Sequence, residues 1–151
     1  HVSSAVHAQV IANLEQSGPE DWRLKELREC AALAKNALYR CDFRAFGEIM
    51  NRNTRVQSQM HSSIVSERAG RIIELAAAHR AVGAKLNGAG GNGGSLTLLF
   101  GERTADRREF ARVLAKEVPE AVMLPVALSA HGLRVWEEQA VLPVRPALAD
   151  A

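Results

Sequence analysis

The chain has 151 residues, a hydrophobic content of 47%, a charged content of 24% and a formal net charge of +2. That length suits one domain with a real core, and the balance of apolar and charged residues excludes both a disordered acidic or basic tail and a collagen-like repeat. The longest apolar run, Ala121 to Leu128, is far too short to cross a bilayer, and no basic stretch followed by an apolar one reads as a secretion signal.

Helical signals fill the first two thirds. Ser3 or Ser4 is placed to cap a helix with Val6, Val10 and Leu14 on one face, which Ser17-Gly18-Pro19 ends. A second helix then takes Pro19 in its first turn and runs to about Cys41, with Trp22, Leu27, Leu33, Ala34 and Leu38 on a broad apolar face. Asp42 caps a third helix striped by Phe43, Phe46, Met50 and Val56, whose other face carries Asn51, Asn53 and Gln57. Ser66 caps a fourth, with Ile72, Ile73, Leu75 and Ala76, which should finish at Gly83.

The period changes after Gly83. Ala84 to Asn87 is a short strand and Ser95 to Phe100 a stronger one; Thr104 caps a helix burying Phe110, Val113 and Leu114. Further strands are expected around Val122 to Leu128 and from Leu133 to Glu137, separated by a turn at Ala130-His131-Gly132, with a proline-containing tail over 141–151. Helices first and strands afterwards predict an α+β domain, an antiparallel sheet with helices on one face.

The two cysteines, Cys30 and Cys41, sit in no CxxC or Cys/His cluster, which points to free thiols in a cytoplasmic protein without a metal site. Base is concentrated only in Arg103 to Arg112, where the one aromatic residue, Phe110, belongs to the buried side of the expected helix and is not placed to stack on bases, so a solvated helix face is expected there, with neither nucleic acid nor membrane as a partner.

Chemistry concentrates in one place. Six glycines fall within residues 83–94, between the fourth helix and the Ser95 strand. Gly88-x-Gly90-x-x-Gly93 has the spacing of a dinucleotide fingerprint, but that motif needs a helix after the last glycine, and here a strand follows. A P-loop fails as well, because Gly94 stands where its lysine belongs.

A third template fits. "KLNGAGGNGG", residues 85–94, resembles the C-terminal glycine-rich motif of the GHMP kinases, commonly K-L-[ST]-G-A-G-G-G-G followed by a strand. Lys85, Leu86, Gly88, Ala89, Gly90, Gly91 and Gly93 match in place, while Asn87 and Asn92 substitute for a hydroxyl residue and a glycine. "FGEIMNRN", with its G-x-x-M-N-x-N pattern, is similar to a helix of the sugar kinases in that family that act on galactose, fucose or heptose phosphate.

The resemblance implies a ferredoxin-like domain with a four-stranded antiparallel sheet over residues 1–140. It implies the C-terminal lobe of an ATP- and Mg2+-dependent sugar kinase that phosphorylates an alcohol group. Gly88, Ala89, Gly90, Gly91, Asn92 and Gly93 would lie near the nucleotide phosphates. The family's other nucleotide loop, P-x-x-x-G-L-x-S-S, and its proposed base belong to an N-terminal lobe, so no catalytic residue is expected in this chain. Activity alone is not expected either, and self-association through apolar surface left by the missing lobe is. A free-standing module whose glycine loop holds an anion is the alternative.

Backbone N–H groups in such a loop form an anion-binding nest, and glycine lets phosphate oxygens approach. Around it, Lys85 is either a phosphate contact or a solvent-facing strand residue. Asn87, Asn51, Asn53 and Gln57 are either substrate contacts or ordinary exposed polar groups, and the same two readings hold for His61 and His7.

Overall fold

The computed structural model describes residues 2–88, 90–91, 94–124, 126 and 131–136. In chain order they form α1 (Val2–Ser17), α2 (Trp22–Tyr39), α3 (Phe43–Ser58), α4 (Glu67–Ala78), β1 (Ala81–Asn87), β2 (Ser95–Phe100) and α5 (Thr104–Glu117). The expected α+β order holds through α5, although several boundaries move for identifiable reasons.

Ser3 and Ser4 lie inside α1, which already begins at Val2. Pro19 is in the turn before α2, because Asp21 takes the capping role: its carboxylate accepts from the Arg23 N–H at 2.8 Å and pairs with the Arg23 guanidinium at 2.7 Å. That grip holds the Asp21 carboxyl well below the usual carboxylate range. Asp42 and Ser66 cap α3 and α4 through their side chains, as the sequence suggests. Arg103, not Thr104, is the N-cap of α5, and it makes no side-chain capping bond.

Helix α4 stops at Ala78, short of Gly83; Arg80 takes the left-handed conformation at φ 68° and the chain turns directly into β1. Gly83 is needed inside the strand. A Cβ there would stand 2.5 Å from the Gly47 Cα, and a Cβ on Gly47 would stand 2.5 Å from the Val82 carbonyl oxygen. The two glycines let α3 lie backbone to backbone on β1.

Strands β1 and β2 pair antiparallel, Lys85 opposite Thr97 and Asn87 opposite Ser95, with the register shifting between Ala81 and Gly83. On one face, Leu86 joins Met60, Ile64 and Ala69 in a core cluster, with Leu24, Leu27 and Leu96 against it. A second cluster of Ala76, Phe110, Leu114 and Val118 packs on Leu98 and Phe100. The α3–α4 connection and α4 supply the first cluster, α4 and α5 the second, and together they cover this face of the sheet.

The opposite edge of β1 has no partner strand among the described residues; α3 side chains replace one. Asn51 Oδ1 accepts from the Ala84 N–H at 2.8 Å, and its Nδ2 donates to the Val82 carbonyl at 3.3 Å. Thr54 Oγ1 accepts from the Leu86 N–H and donates to the Ala84 carbonyl, each at 3.0 Å. Arg52 ties the far side of α3 to α2 through Glu26 at 2.5 Å and Glu29 at 2.7 Å.

The sheet has two strands among the described residues, not four. Residues 122–124, 126 and 133–136 carry no strand, because no ladder pairs them; Val122, Val126, Leu133 and Val135 are more than four-fifths exposed. The tail expected over 141–151 lies outside the described residues. Among the described residues no helix is long and apolar enough to cross a membrane.

The α3–β1 seam gives a direct stability test. Gly83→Ala is expected to lower stability by about 2–3 kcal/mol through forced overpacking. Thr54→Val, which strands a buried N–H and a carbonyl, is expected to cost about 2 kcal/mol. Gly101→Ala, where a Cβ meets nothing within 4 Å, serves as the control with little change. Urea unfolding midpoints of the three variants check the ranking.

Candidate functional site

The glycine segment is the connection of the β1–β2 hairpin, leaving β1 after Asn87 and entering β2 at Ser95. Ala89, Asn92 and Gly93 lie outside the described residues; Gly88, Gly90, Gly91 and Gly94 do not. Gly88, Gly90 and Gly91 all have positive φ, between 64° and 74°. This is backbone that residues with a Cβ adopt at a cost of about 1 kcal/mol or more.

The loop is fastened to the connection between α3 and α4. The Gly91 N–H donates to the Ile64 carbonyl at 2.8 Å. A Cβ on Gly90 would collide with that same carbonyl oxygen and with a Leu86 methyl 2.8 Å away. Leu86 and Ile64 belong to the core cluster, so the glycine loop is docked on a rigid base. The α4 N-cap, Ser66, follows Ile64 by two residues, which sets the loop beside the start of α4, where backbone N–H groups give partial positive charge. Glu67 in the first turn offsets part of that charge.

His61 stands at the beginning of the same connection. Its Nδ1 accepts from the Ser63 N–H at 3.1 Å, which in the neutral ring puts the proton on Nε2. The backbone around it is tied in turn, with the Ile64 N–H donating to the His61 carbonyl at 3.1 Å.

Lys85 and Asn87 lie on the sheet face opposite the α4–α5 layer, since Leu86 between them points into the core. The Lys85 ammonium donates to Gln57 Oε1 at 2.8 Å and to the Leu86 carbonyl. It meets no carboxylate within 4 Å among the described residues, and burial pushes its pKa below the ordinary lysine value. Asn87 Nδ2 reaches across the hairpin to Thr97 Oγ1 at 3.0 Å and Ser95 Oγ at 3.3 Å.

The three α3 residues separate. Asn51 is engaged by the β1 backbone, and Gln57 holds Lys85. Asn53 presents a buried Oδ1 that accepts no hydrogen bond among the described residues. Lys85, Asn87, Gln57 and the glycine loop thus converge at one end of the hairpin, with His61 on the connection to which the loop is bonded. Ser95, Thr97 and the Ile64 carbonyl were not singled out from sequence. The alternation of Ser95 and Thr97 with Leu96 and Leu98 was the available signal for the first two; nothing in the sequence marks a main-chain carbonyl.

Two glycine variants separate conformational strain from docking. Gly88→Ala pays only for its positive φ, about 1 kcal/mol, because nothing stands within 4 Å of its Cβ. Gly90→Ala adds the collision with Ile64, so the Gly91 amide should lose its protection from hydrogen exchange in that variant alone.

The family model described as GHMP kinases C terminal matches residues 34–120. No curated protein and no solved structure matches the chain significantly. The matched span runs from the last third of α2 to just past α5 and contains the α3–β1 seam, the docked glycine loop and the polar end of the hairpin. The chain therefore belongs to the GHMP kinases, with residues 34–120 forming the family's C-terminal domain.

Proposed function

We propose that the chain is the C-terminal lobe of a longer ATP-dependent kinase of the galactokinase-like branch, acting on an alcohol group of a sugar or sugar phosphate. The observation that carries this reading is the glycine loop fastened through Gly91 to the Ile64 carbonyl in a chain of this family. In phosphoryl transfer the protein mainly positions the donor and spreads charge, so a rigid backbone-lined loop beside the triphosphate is a suitable part.

The described residues fit that role in part. Glycine at 88, 90 and 91 leaves no Cβ between the backbone and a phosphate, and the adjacent α4 start favours an anion. The Gly91 N–H is already committed to Ile64, so phosphate contacts fall to the other loop amides. No group of three or more His, Cys, Asp or Glu that could hold a metal ion occurs among the described residues. In this reading Mg2+ arrives with the nucleotide and takes its protein ligands from the N-terminal lobe. ATP supplies the phosphoryl group. Lys85, Asn87, Asn51, Asn53 and His61 remain candidates for contact with phosphate or acceptor, Asn53 through its unpartnered Oδ1.

The same reading makes residues 122–128 and 133–137 the third and fourth strands of the complete sheet. The Ala84 and Leu86 backbone groups bond to α3, so Lys85 faces β2, and Leu96 and Leu98 turn their backbone groups to the outer edge. That edge is free among the described residues, and Val122, Leu124, Val126, Leu133 and Val135 alternate as strand residues do. The Leu96 and Leu98 amides should exchange freely in this chain and be protected in the longer kinase. A cytoplasmic location and self-association of the isolated lobe belong to the same reading.

The test compares this chain with the polypeptide that includes the upstream coding sequence, supplying Mg-ATP and a panel of sugars and sugar phosphates. Phosphotransfer by the longer polypeptide and none by the 151-residue chain is the expected result. Turnover by this chain alone, or an upstream sequence lacking a P-x-x-x-G-L-x-S-S loop, would overturn it.

A further inference from the structure

We propose that the open sheet face beside the glycine loop is a phosphate-binding subsite, formed by the hydroxyls of Ser95 and Thr97 with the Lys85 ammonium. The geometry of Asn87 carries the argument. Its Nδ2 donates to both hydroxyl oxygens, at 3.0 Å to Thr97 and 3.3 Å to Ser95. A hydroxyl has one proton and two lone pairs, so an oxygen that accepts from Asn87 keeps its own proton for another acceptor. Neither hydroxyl donates to a protein group among the described residues, and both residues are exposed.

Two N–H bonds diverging from one amide nitrogen set the hydroxyl oxygens about 5 Å apart, a separation that two oxygens of one phosphate bridge. Asn87 thus acts as a spacer that orients two donors. The third donor is on the same face: Lys85 is the register partner of Thr97. Its amine rests on the α3 side of β1, on Gln57 Oε1 and the Leu86 carbonyl, neutral acceptors that leave its charge unmatched, and a turn of its side chain toward β2 would bring it to an anion held by the two hydroxyls. Burial already disfavours the charged amine, and a dianion bound on this face would offset that penalty once the side chain turned to it.

The surroundings favour an anion over other ligands. Between Glu74 and Glu102 the chain has no acidic residue, while it holds Arg80 and Lys85. No carboxylate of β1, β2 or the loop competes for the three donors. The chemistry is that of a phosphate monoester or a terminal phosphate. The subsite stands on this geometry alone; its place in catalysis rests on the kinase reading, where the phosphate belongs either to the nucleotide or to a phosphorylated acceptor.

Inorganic phosphate titrated into the 151-residue chain at constant ionic strength, with chloride as the control, tests the subsite without any activity. Saturable shifts of the Asn87 side-chain amide and the Ser95 and Thr97 amides are expected, with the Lys85 Cε titration moving to higher pH. Thr97→Val and Lys85→Met should each weaken the apparent affinity about tenfold, and Lys85→Arg should retain most of it. Ser95→Ala, at an exposed position, is a second hydroxyl deletion with the same expected direction. Shifts equal in chloride, or shifts confined to the glycine-loop amides, would overturn the proposal even if the longer kinase is active. In that longer kinase, a raised KM for ATP in Thr97→Val assigns the phosphate to the donor. A raised KM for a sugar phosphate assigns it to the acceptor, and no change in either overturns its place in catalysis.

Discussion

Everything that places the glycine loop depends on how α3 lies against β1. Gly47 and Gly83 bring the two backbones into direct contact, and neither position accommodates a Cβ without movement. At that separation a further strand has no room on the β1 edge, so the strand's outward amide and carbonyl groups need other partners. Asn51 and Thr54 provide them, one helical turn apart and each with a donor and an acceptor. A helix has thereby become the neighbour of a strand edge, with side chains in place of a ladder.

That seam fixes more than stability. With Ala84 and Leu86 bonded toward α3, Lys85 and Asn87 must turn their backbones to β2 and their side chains to the open face. The next residues after Asn87 are the glycines, which fold back onto the Ile64 carbonyl at the end of the α3–α4 connection. One helix therefore sets the register of β1, and β1 sets where the loop starts. The Arg52 pairs with Glu26 and Glu29 brace α3 from behind, and the Arg68–Glu120 and Arg71–Glu117 pairs link α4 to the chain at and beyond the end of α5. These last pairs are exposed and add little energy individually.

Polar residues divide by the same logic. Thr54 is buried because it serves the strand edge, and Asn51 has both ends of its amide occupied there. Asn53, one position before Thr54, turns to a different side of α3 and leaves Oδ1 without a partner. Buried oxygens without donors are rare because they cost about 1–3 kcal/mol, which sets Asn53 apart from its neighbours.

The sequence by itself determined the order of elements from α1 to α5, the caps at Asp42 and Ser66, the β2 span and the resemblance to a GHMP kinase lobe, because these depend on local residue type and short spacing. It placed the end of α4 at Gly83 because a glycine is a common helix stop. Only the tertiary structure showed that this glycine admits Gly47, and that Arg80 takes the left-handed turn instead. Likewise, alternation suggested strands over 122–128 and 133–137, but a strand exists only where a partner satisfies its backbone, and the described residues offer none there. The glycine-rich letters identified the loop; its docking on Ile64, and the grouping of Lys85, Asn87, Ser95 and Thr97 on one face, came from register and main-chain contacts that residue identity does not encode.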